Sequence, residues 1–329
     1  MDAMTPKRSN SELRSDRLLE KMRREFGPVV CELLAAPDVT EILLNDDQRL
    51  WVERLGQPME VVGTIPPVRA EAAIKSVAAY WDTYATEEKP IVEGRMPLDG
   101  VSRFEGLIPP VVQSPVFSIR RHSSRVITFD EYVSSGIMSG WDRDTLCRRI
   151  ELLDNVMVAG GTGSGKTTLL NTCISHAVKV HPTRRRVIIE DTPELKRVAD
   201  NCVMLRTSDT VTGNMLLRAS LRLYPGSLDY GEVRGPEAHT LLKAWTTDHP
   251  GGFGTCHSKK GERGALLRLE QLLLEAVPTP MNDLIGEAVQ LIVNIGRTPK
   301  GRVINGLLAV NGFEGGQYKL QNLHRPDKG

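Results

Sequence analysis

Apolar and polar positions alternate in two regimes along the chain. In the first third, strand-like runs at "TEILLN" (40–45), "RLWVERLG" (49–56) and "MEVVGT" (59–64) precede a helical pattern from Val68 to Tyr84, and "SRFEGLIPPVV" and "VFSIRRH" read as two further strands. Ahead of them, Ser11 to Phe26 sets Leu18, Leu19, Met22 and Phe26 at helical spacing among Arg14, Arg17, Lys21, Arg23 and Arg24. Together these elements predict a compact α+β domain over 11–125, after a loose polar N-terminus at 1–10. Residues 126–150 read as a connector with two short helices.

From residue 151 onward strands and helices take turns. "NVMVAG", a helix over 166–179, "RRVIIED", "CVMLRT", a helix over 211–223, "SLDYGE", a helix over 236–247, "GGFGTCH" and a helix over 262–276 follow one another. Such alternation predicts an α/β domain over 151–322 with a doubly wound, mostly parallel sheet. "AVQLIVNIGR" and "RVINGLLAVNGF" extend that sheet or form a hairpin on it, and 323–329 reads as a flexible tail.

The first of these strands runs into "GGTGSGKTT". Gly160, four residues, Gly165, Lys166 and Thr167 fit the phosphate-binding pattern G-x-x-x-x-G-K-[ST]. Glycines let successive backbone N–H groups close on phosphate oxygens, and the following helix turns its positive end to the same anion. Residues 160–168 (Gly160, Gly161, Thr162, Gly163, Ser164, Gly165, Lys166, Thr167, Thr168) are therefore the candidate nucleotide cradle. In it Lys166 reaches the β- and γ-phosphates of ATP and Thr167 holds Mg²⁺. A mere glycine-rich turn is the alternative, but Asn155 to Ala159 reads as a buried strand. Leu169, Leu170, Cys173, Ile174 and Ala177 fall on one helical face behind the loop.

Composition changes little. Lys and Arg number 42 against 41 Asp and Glu, which argues against an extended nucleic-acid groove. The five cysteines are scattered without a C-x-x-C pair and read as core residues of a reducing compartment. No apolar stretch has membrane-spanning length and the polar N-terminus has no signal-peptide core, so a cytoplasmic protein is expected. The basic helix at 11–26 is either packed with a solvated charged face or laid on an anionic membrane surface.

Later strand ends supply polar groups to the same sheet edge. Glu190 and Asp191 end "VIIED", Glu232 lies in "LDYGEVRG" with Arg234 two residues on, and Thr255 and His257 lie in "GGFGTCHS". Each has a plain structural alternative: a helix cap for Asp191, a core hydrogen bond for His257. Convergence of several strands on one edge is where nucleotide chemistry sits in such folds.

The four boxes "GGTGSGKTT", "IIEDTPEL", "GEVRGPEAHTLLKAWTTDHPGG" and "GTCHS" resemble the Walker A, Asp box, Walker B and His box of the secretion ATPase superfamily. With "PLDGVSRFEGLIPPVV" and "FSIRRHS", the chain is similar to the type IV secretion branch and its TrbB-type ATPases of conjugative DNA transfer, from about residue 15 to 312. The resemblance implies hexameric rings in which an N-terminal domain and a RecA-like domain clamp ATP, working with inner-membrane components of a secretion channel, at the cytoplasmic side. It implies that Glu232 activates the attacking water, that Glu190 and Asp191 support metal and water, and that His257 senses the γ-phosphate. It also implies that Arg103 and Arg120 approach the phosphates.

Departures cluster before Walker B. The family commonly has "LRMRPDRIIVGEVRG" where this chain has "LRLYPGSLDYGEVRG", so Tyr224, Gly226 and Ser227 replace two arginines and an aspartate, and Asp229 takes an apolar strand position. Val101 is an extra residue in the "DGSRF" turn. A charged Asp229 in a central strand is costly unless paired, so either it has a partner or the strand is shifted and Glu232 misplaced. A motor ATPase is the leading reading. A ring scaffold with weak turnover, a type II secretion or pilus motor, and a helicase are the alternatives.

Overall fold

The structure is a computed structural model and describes residues 10–54, 57–121, 126–191, 194–208, 210–258, 261–298 and 301–325. The chain divides into two compact units, Met1–Ser124 and Arg125–Gly329.

The first unit runs α1 (Asn10–Ala35), β1 (Val39–Leu44), β2 (Arg49–Arg54), β3 (Glu60–Thr64), α2 (Pro67–Tyr80), β4 (Ile91–Arg95), β5 (Arg103–Leu107) and β6 (Val116–Arg120). Its six strands form one antiparallel sheet in the order β3-β2-β1-β6-β5-β4. Met22, Phe26 and Val30 of α1 and Ala73, Ile74 and Val77 of α2 share its core with Ile42, Phe104 and Phe117. The helix predicted to end at Phe26 continues to Ala35. Gly27 (φ 81°) breaks its axis and Pro28 opens a second helical stretch, which buries Val30, Leu33 and Leu34. Arg69 of α2 repairs the break by donating to the carbonyls of Glu25 (2.7 Å) and Arg24 (3.0 Å). Its guanidinium fills the space where a β-carbon at Gly27 would stand, 2.1 Å from Nη2. Because α1 buries its apolar positions in this core, the packed-helix reading accounts for them. No helix among the described residues is long and apolar enough to cross a membrane.

The second unit opens with α3 (Phe129–Ser134) and α4 (Gly140–Glu151). Then follow β7 (Val156–Gly160), α5 (Lys166–Val180), β8 (Arg186–Glu190), β9 (Cys202–Arg206), α6 (Gly213–Ser220), β10 (Ser227–Val233), α7 (Glu237–Trp245), β11 (Phe253–His257), α8 (Gly261–Ala276), α9 (Asn282–Ala288), β12 (Leu291–Thr298), β13 (Gly301–Glu314) and β14 (Gln317–Asn322). The eight strands are ordered β14-β13-β12-β7-β11-β10-β8-β9. Neighbours from β9 through β12 are parallel, and β13 and β14 add antiparallel strands at one edge. Every residue of β7 and β8 is buried. Alternation along β7 sends Val156 and Val158 to a core with Leu169, Leu170 and Ile174 of α5, and Met157 and Ala159 to a core with Leu241, Leu242 and Leu269 of α7 and α8. Helices thus cover both faces, and the C-terminal ends of the parallel strands share one edge.

The predicted flexible tail is ordered as far as Arg325. Trp141 Nε1 donates to the Leu323 carbonyl (3.1 Å), Ser139 Oγ to that of Arg325 (2.6 Å), and His324 Nδ1 lies 2.8 Å from the buried carboxylate of Asp142. Residues 326–329 of that tail, and 1–9 of the expected loose N-terminus, lie outside the described residues.

Candidate functional site

Between β7 and α5 the chain builds its loop around space that side chains would fill. A β-carbon at Gly160 would come 2.2 Å from the Ile295 carbonyl oxygen and 2.6 Å from Ser164 Oγ, so only glycine lets the strand end this close to β12. Gly163 (φ 68°) and Gly165 (φ 99°) take left-handed conformations that L side chains resist. Gly165 is the N-cap residue of α5 and offers no side-chain acceptor, which leaves the first-turn N–H groups of Lys166, Thr167 and Thr168 without a capping side chain. Thr162 and Gly163 are exposed at the tip, Gly161 is half-buried, and Ser164 is buried with its Oγ unpartnered among the described residues. Lys166 folds back to donate to the Gly161 carbonyl at 2.9 Å, and burial lowers its pKa. An uncapped fifteen-residue helix, an orphaned hydroxyl and a lysine held on a loop carbonyl fit a polyphosphate.

The neighbouring strands bring their polar ends beside this loop. His257 is the register partner of Gly160 across β11 and β7. On β10 a bulge between Tyr230 and Val233 re-aims Glu232. Its Oε1 lies 2.7 Å from His257 Nε2 and its Oε2 accepts from Arg234 Nη2 at 2.6 Å. The pKa of His257 is lowered, first by burial and then by the Lys166 charge, against the opposing pull of Glu232. A neutral imidazole therefore faces the carboxylate.

Asp191 accepts from Thr207 Oγ1 (2.9 Å), and its Oδ2 is 3.9 Å from Arg234 Nη1. It is exposed and heads no helix. Glu190 is tied to the backbone that follows it. It is 1 % exposed, and its Oε2 accepts the backbone N–H groups of Glu194 (2.9 Å) and Leu195 (2.8 Å), so it braces the loop after β8. Burial raises its pKa, against those two bonds. Gly231 packs against Glu190, whose Cβ lies 3.3 Å from where a β-carbon at 231 would stand, and Thr255 Oγ1 donates to the Gly231 carbonyl at 2.7 Å. Both serve strand packing.

In the first unit Arg103 and Arg120 are register partners on β5 and β6, side by side on one face of the sheet. Arg120 Nε donates to Glu41 at 2.5 Å. The adjacent Arg121 caps the end of α1 by donating to the carbonyls of Leu33 and Ala36. Val101 is exposed, and its N–H donates to Asp99 Oδ1 at 3.0 Å, so the extra residue is absorbed by an aspartate-braced turn.

Three of the departures before Walker B, Gly226, Ser227 and Asp229, are met by "RRR" at 184–186, while Tyr224 is exposed. Arg185 Nε donates to the Leu223 carbonyl (2.8 Å), and Arg184 donates to the Gly226 carbonyl (2.5 Å) and Ser227 Oγ (2.7 Å). Arg186 grips Asp229 with two bonds, 2.7 Å to Oδ2 and 2.6 Å to Oδ1. β10 then pairs with β8 in unbroken parallel register from Ser227 to Tyr230. Asp229 has its partner, and its strand keeps register with β8 as far as Tyr230, the one shift lying beyond it in the pairing with β11.

The model of the family described as "Type II/IV secretion system protein" matches residues 24–300, a span that takes in most of each unit. This chain belongs to that family. Among its relatives are the probable conjugal transfer protein TrbB of Sinorhizobium fredii, 45% identical over 94% of this chain and 95% of that one, and the conjugal transfer protein TrbB of Rhizobium radiobacter, 44% identical over 95% and 96%. The crystal structure of the pilus retraction motor PilT with bound ADP shares the fold at 20% identity and a TM-score of 0.59, covering 85% of this chain and 80% of PilT.

Arg234, placed by the sequence two residues after Glu232, lies on that carboxylate, but one arginine beside the loop has no signal in the sequence. Arg302 of β13 lies against Gly165, its Cδ 3.1 Å from where a β-carbon there would stand. Its contact depends on a hairpin more than a hundred residues away, and nothing local in the sequence announces it.

Proposed function

We propose that the protein is a Mg²⁺-dependent ATPase of RecA-like fold that works as a homohexameric motor, powering assembly or substrate transfer at a conjugative, type IV secretion-like channel. The carrying observation is the Glu232–His257 pair beside a glycine cradle whose helix end has no side-chain cap, in a chain 45% identical to a conjugal transfer TrbB protein. ATP supplies the phosphoanhydride whose hydrolysis drives domain movement, and the loop N–H groups with Lys166 hold its phosphates. Thr167 offers one hydroxyl to Mg²⁺. No group of three or more His, Cys, Asp or Glu among the described residues could hold a metal. That suits Mg²⁺, which takes few protein ligands when phosphate oxygens and waters complete its octahedron.

Glu232 orients or deprotonates the attacking water, and His257, on the strand paired with the loop, reports the γ-phosphate to that glutamate. Asp191 stands at the same edge, while Glu190 keeps the loop around it in place. Arg103 and Arg120 are the residues that the N-terminal unit brings to the phosphates of a closing cleft. The expected partners are further copies of this chain and inner-membrane channel components, with the protein at the cytoplasmic side of that membrane.

With Asp229 paired, the unmet strand charge no longer supports the weak-turnover scaffold, which rests on the departures at Tyr224, Gly226 and Ser227. Equilibrium binding of ATP tests the reading: Lys166→Ala weakens it at least about a hundredfold, given the charge it removes from the phosphates. Equal affinity in parent and variant sinks the cradle assignment. Sedimentation of a single-chain species with and without nucleotide contradicts the hexamer.

A further inference from the structure

Arg234 has no part in the chemistry assigned above, yet the fold fixes it from several sides. Its own N–H and that of Gly235 donate to Oε1 of Glu237, at the start of α7, at 2.7 and 2.9 Å. Arg268 of α8 donates to its carbonyl at 3.3 Å. From this braced turn the side chain returns to the strand it has just left, with Nη2 2.6 Å from Glu232 Oε2 and Nη1 3.9 Å from Asp191 Oδ2. Asp191 is itself steadied by Thr207. The other oxygen of Glu232 faces His257. The carboxylate is thus held through one oxygen by a cation, while the imidazole stands beside the other, which accepts no hydrogen bond among the described residues.

We infer that Arg234 is a positioning residue for hydrolysis: it fixes the rotation of the Glu232 carboxylate, and Asp191 holds the guanidinium in turn. The inference rests on the proposed role of Glu232 and adds to it the residue that aims it. An ionised carboxylate has about four lone-pair sites. One site on Oε2 is taken by the Arg234 guanidinium, which fixes the plane of the group, and the unbonded Oε1 is left to an attacking water in a fixed direction. A guanidinium suits this task because its planar fork fixes orientation as well as charge, whereas an ammonium supplies charge alone. The Arg234 side chain is 59 % exposed, so its ion pair adds little to the stability of the fold. Its effect is therefore expected in turnover and not in melting.

The test is steady-state ATP hydrolysis and equilibrium ATP binding by the full chain, with parent, Arg234→Gln, Arg234→Lys and Asp191→Asn compared alongside thermal unfolding. Arg234→Gln is expected to lower kcat about ten- to a hundredfold, the scale on which small misplacements act. KM, ATP affinity and the unfolding midpoint stay at parent values. Arg234→Lys recovers part of the loss, and Asp191→Asn shows a smaller fall in kcat. Should Arg234→Gln fail to fold, Arg234→Lys carries the same kcat comparison. Parental kcat in both Arg234 variants overturns the inference, as does a raised KM at unchanged kcat, which would place Arg234 on the nucleotide instead. A parent protein that binds ATP but releases no phosphate overturns the hydrolysis reading itself, a different result from parental turnover in the variants.

Discussion

Arg186 and Asp229 form a bidentate ion pair between β8 and β10 of the eight-stranded sheet, at 2.7 and 2.6 Å, with side chains 2 % and 0 % exposed. They are diagonal neighbours on β8 and β10, since Arg186 is in register with Ser227 and Asp229 with Ile188. The Phe253 N–H donates to the same carboxylate at 3.0 Å, and the guanidinium lies 4.9 Å from the Phe253 ring centroid. One buried pair thereby ties β8, β10 and β11 together, and these are the strands whose ends carry Glu190, Glu232 and His257.

Removing one partner leaves a buried charge unmet. Asp229→Val, which restores the apolar residue expected at that strand position, is predicted to destabilise the protein by about 3–5 kcal/mol. The double change Arg186→Met with Asp229→Val recovers most of it, because apolar replacement of both partners removes the desolvation cost with the pair. Urea unfolding of the two variants decides the matter. A stabilised Asp229→Val protein would mean that the pair is dispensable.

Gly160→Ala is predicted to disturb the loop and the sheet together. Its β-carbon meets the backbone oxygen of Ile295, which cannot swing away as a side chain would. The expected cost is about 1–3 kcal/mol of stability, with ATP affinity reduced by more than that strain alone would suggest. Parental nucleotide affinity in Gly160→Ala, measured by titration calorimetry, would show that the loop tolerates the shift.

The pH dependence follows from His257. Its pKa in the folded chain lies below the ordinary 6.5, first because of burial and then because of Lys166. The imidazole is then neutral at pH 7. The stability contributed by that neutral form is complete above the unfolded pKa and is lost as pH falls through the lower folded value. Turnover is predicted to be flat between about pH 7.5 and 6.5 and to fall only below that range, with His257→Gln changing the acid limb. A kcat profile whose acid limb is centred above pH 6.5 contradicts this.

Much of the site was legible because its chemistry is local. The glycine spacing at 160–165, the strand before it and the apolar face behind it announce a phosphate loop without any tertiary knowledge. The alternation after residue 151 yields every strand from β7 to β13. What escaped depends on contacts made across the fold. Asp229 could be marked as needing a partner, but Arg186 stands 43 positions earlier, and only the β8–β10 pairing joins them. Glu190 ends its strand as expected, yet the loop after it turns its carboxylate inward. Gly27 and Pro28 look like the end of a helix, and it is Arg69 that allows the helix to resume. The edge strands β4 and β14 bury few side chains, so they leave little of the apolar alternation by which a strand is recognised.

The central claim is that the edge formed by β7, β10 and β11 hydrolyses ATP. It is tested most directly by Mg²⁺-dependent phosphate release from the purified full chain beside Glu232→Gln and Lys166→Ala, with ATP binding measured on the same preparations. We predict release by the parent protein, ATP bound but about a hundredfold or more slower release for Glu232→Gln, and loss of both for Lys166→Ala. Equal turnover in Glu232→Gln and the parent protein would contradict the role given to that glutamate, and a parent protein that binds ATP without releasing phosphate would contradict the claim as a whole.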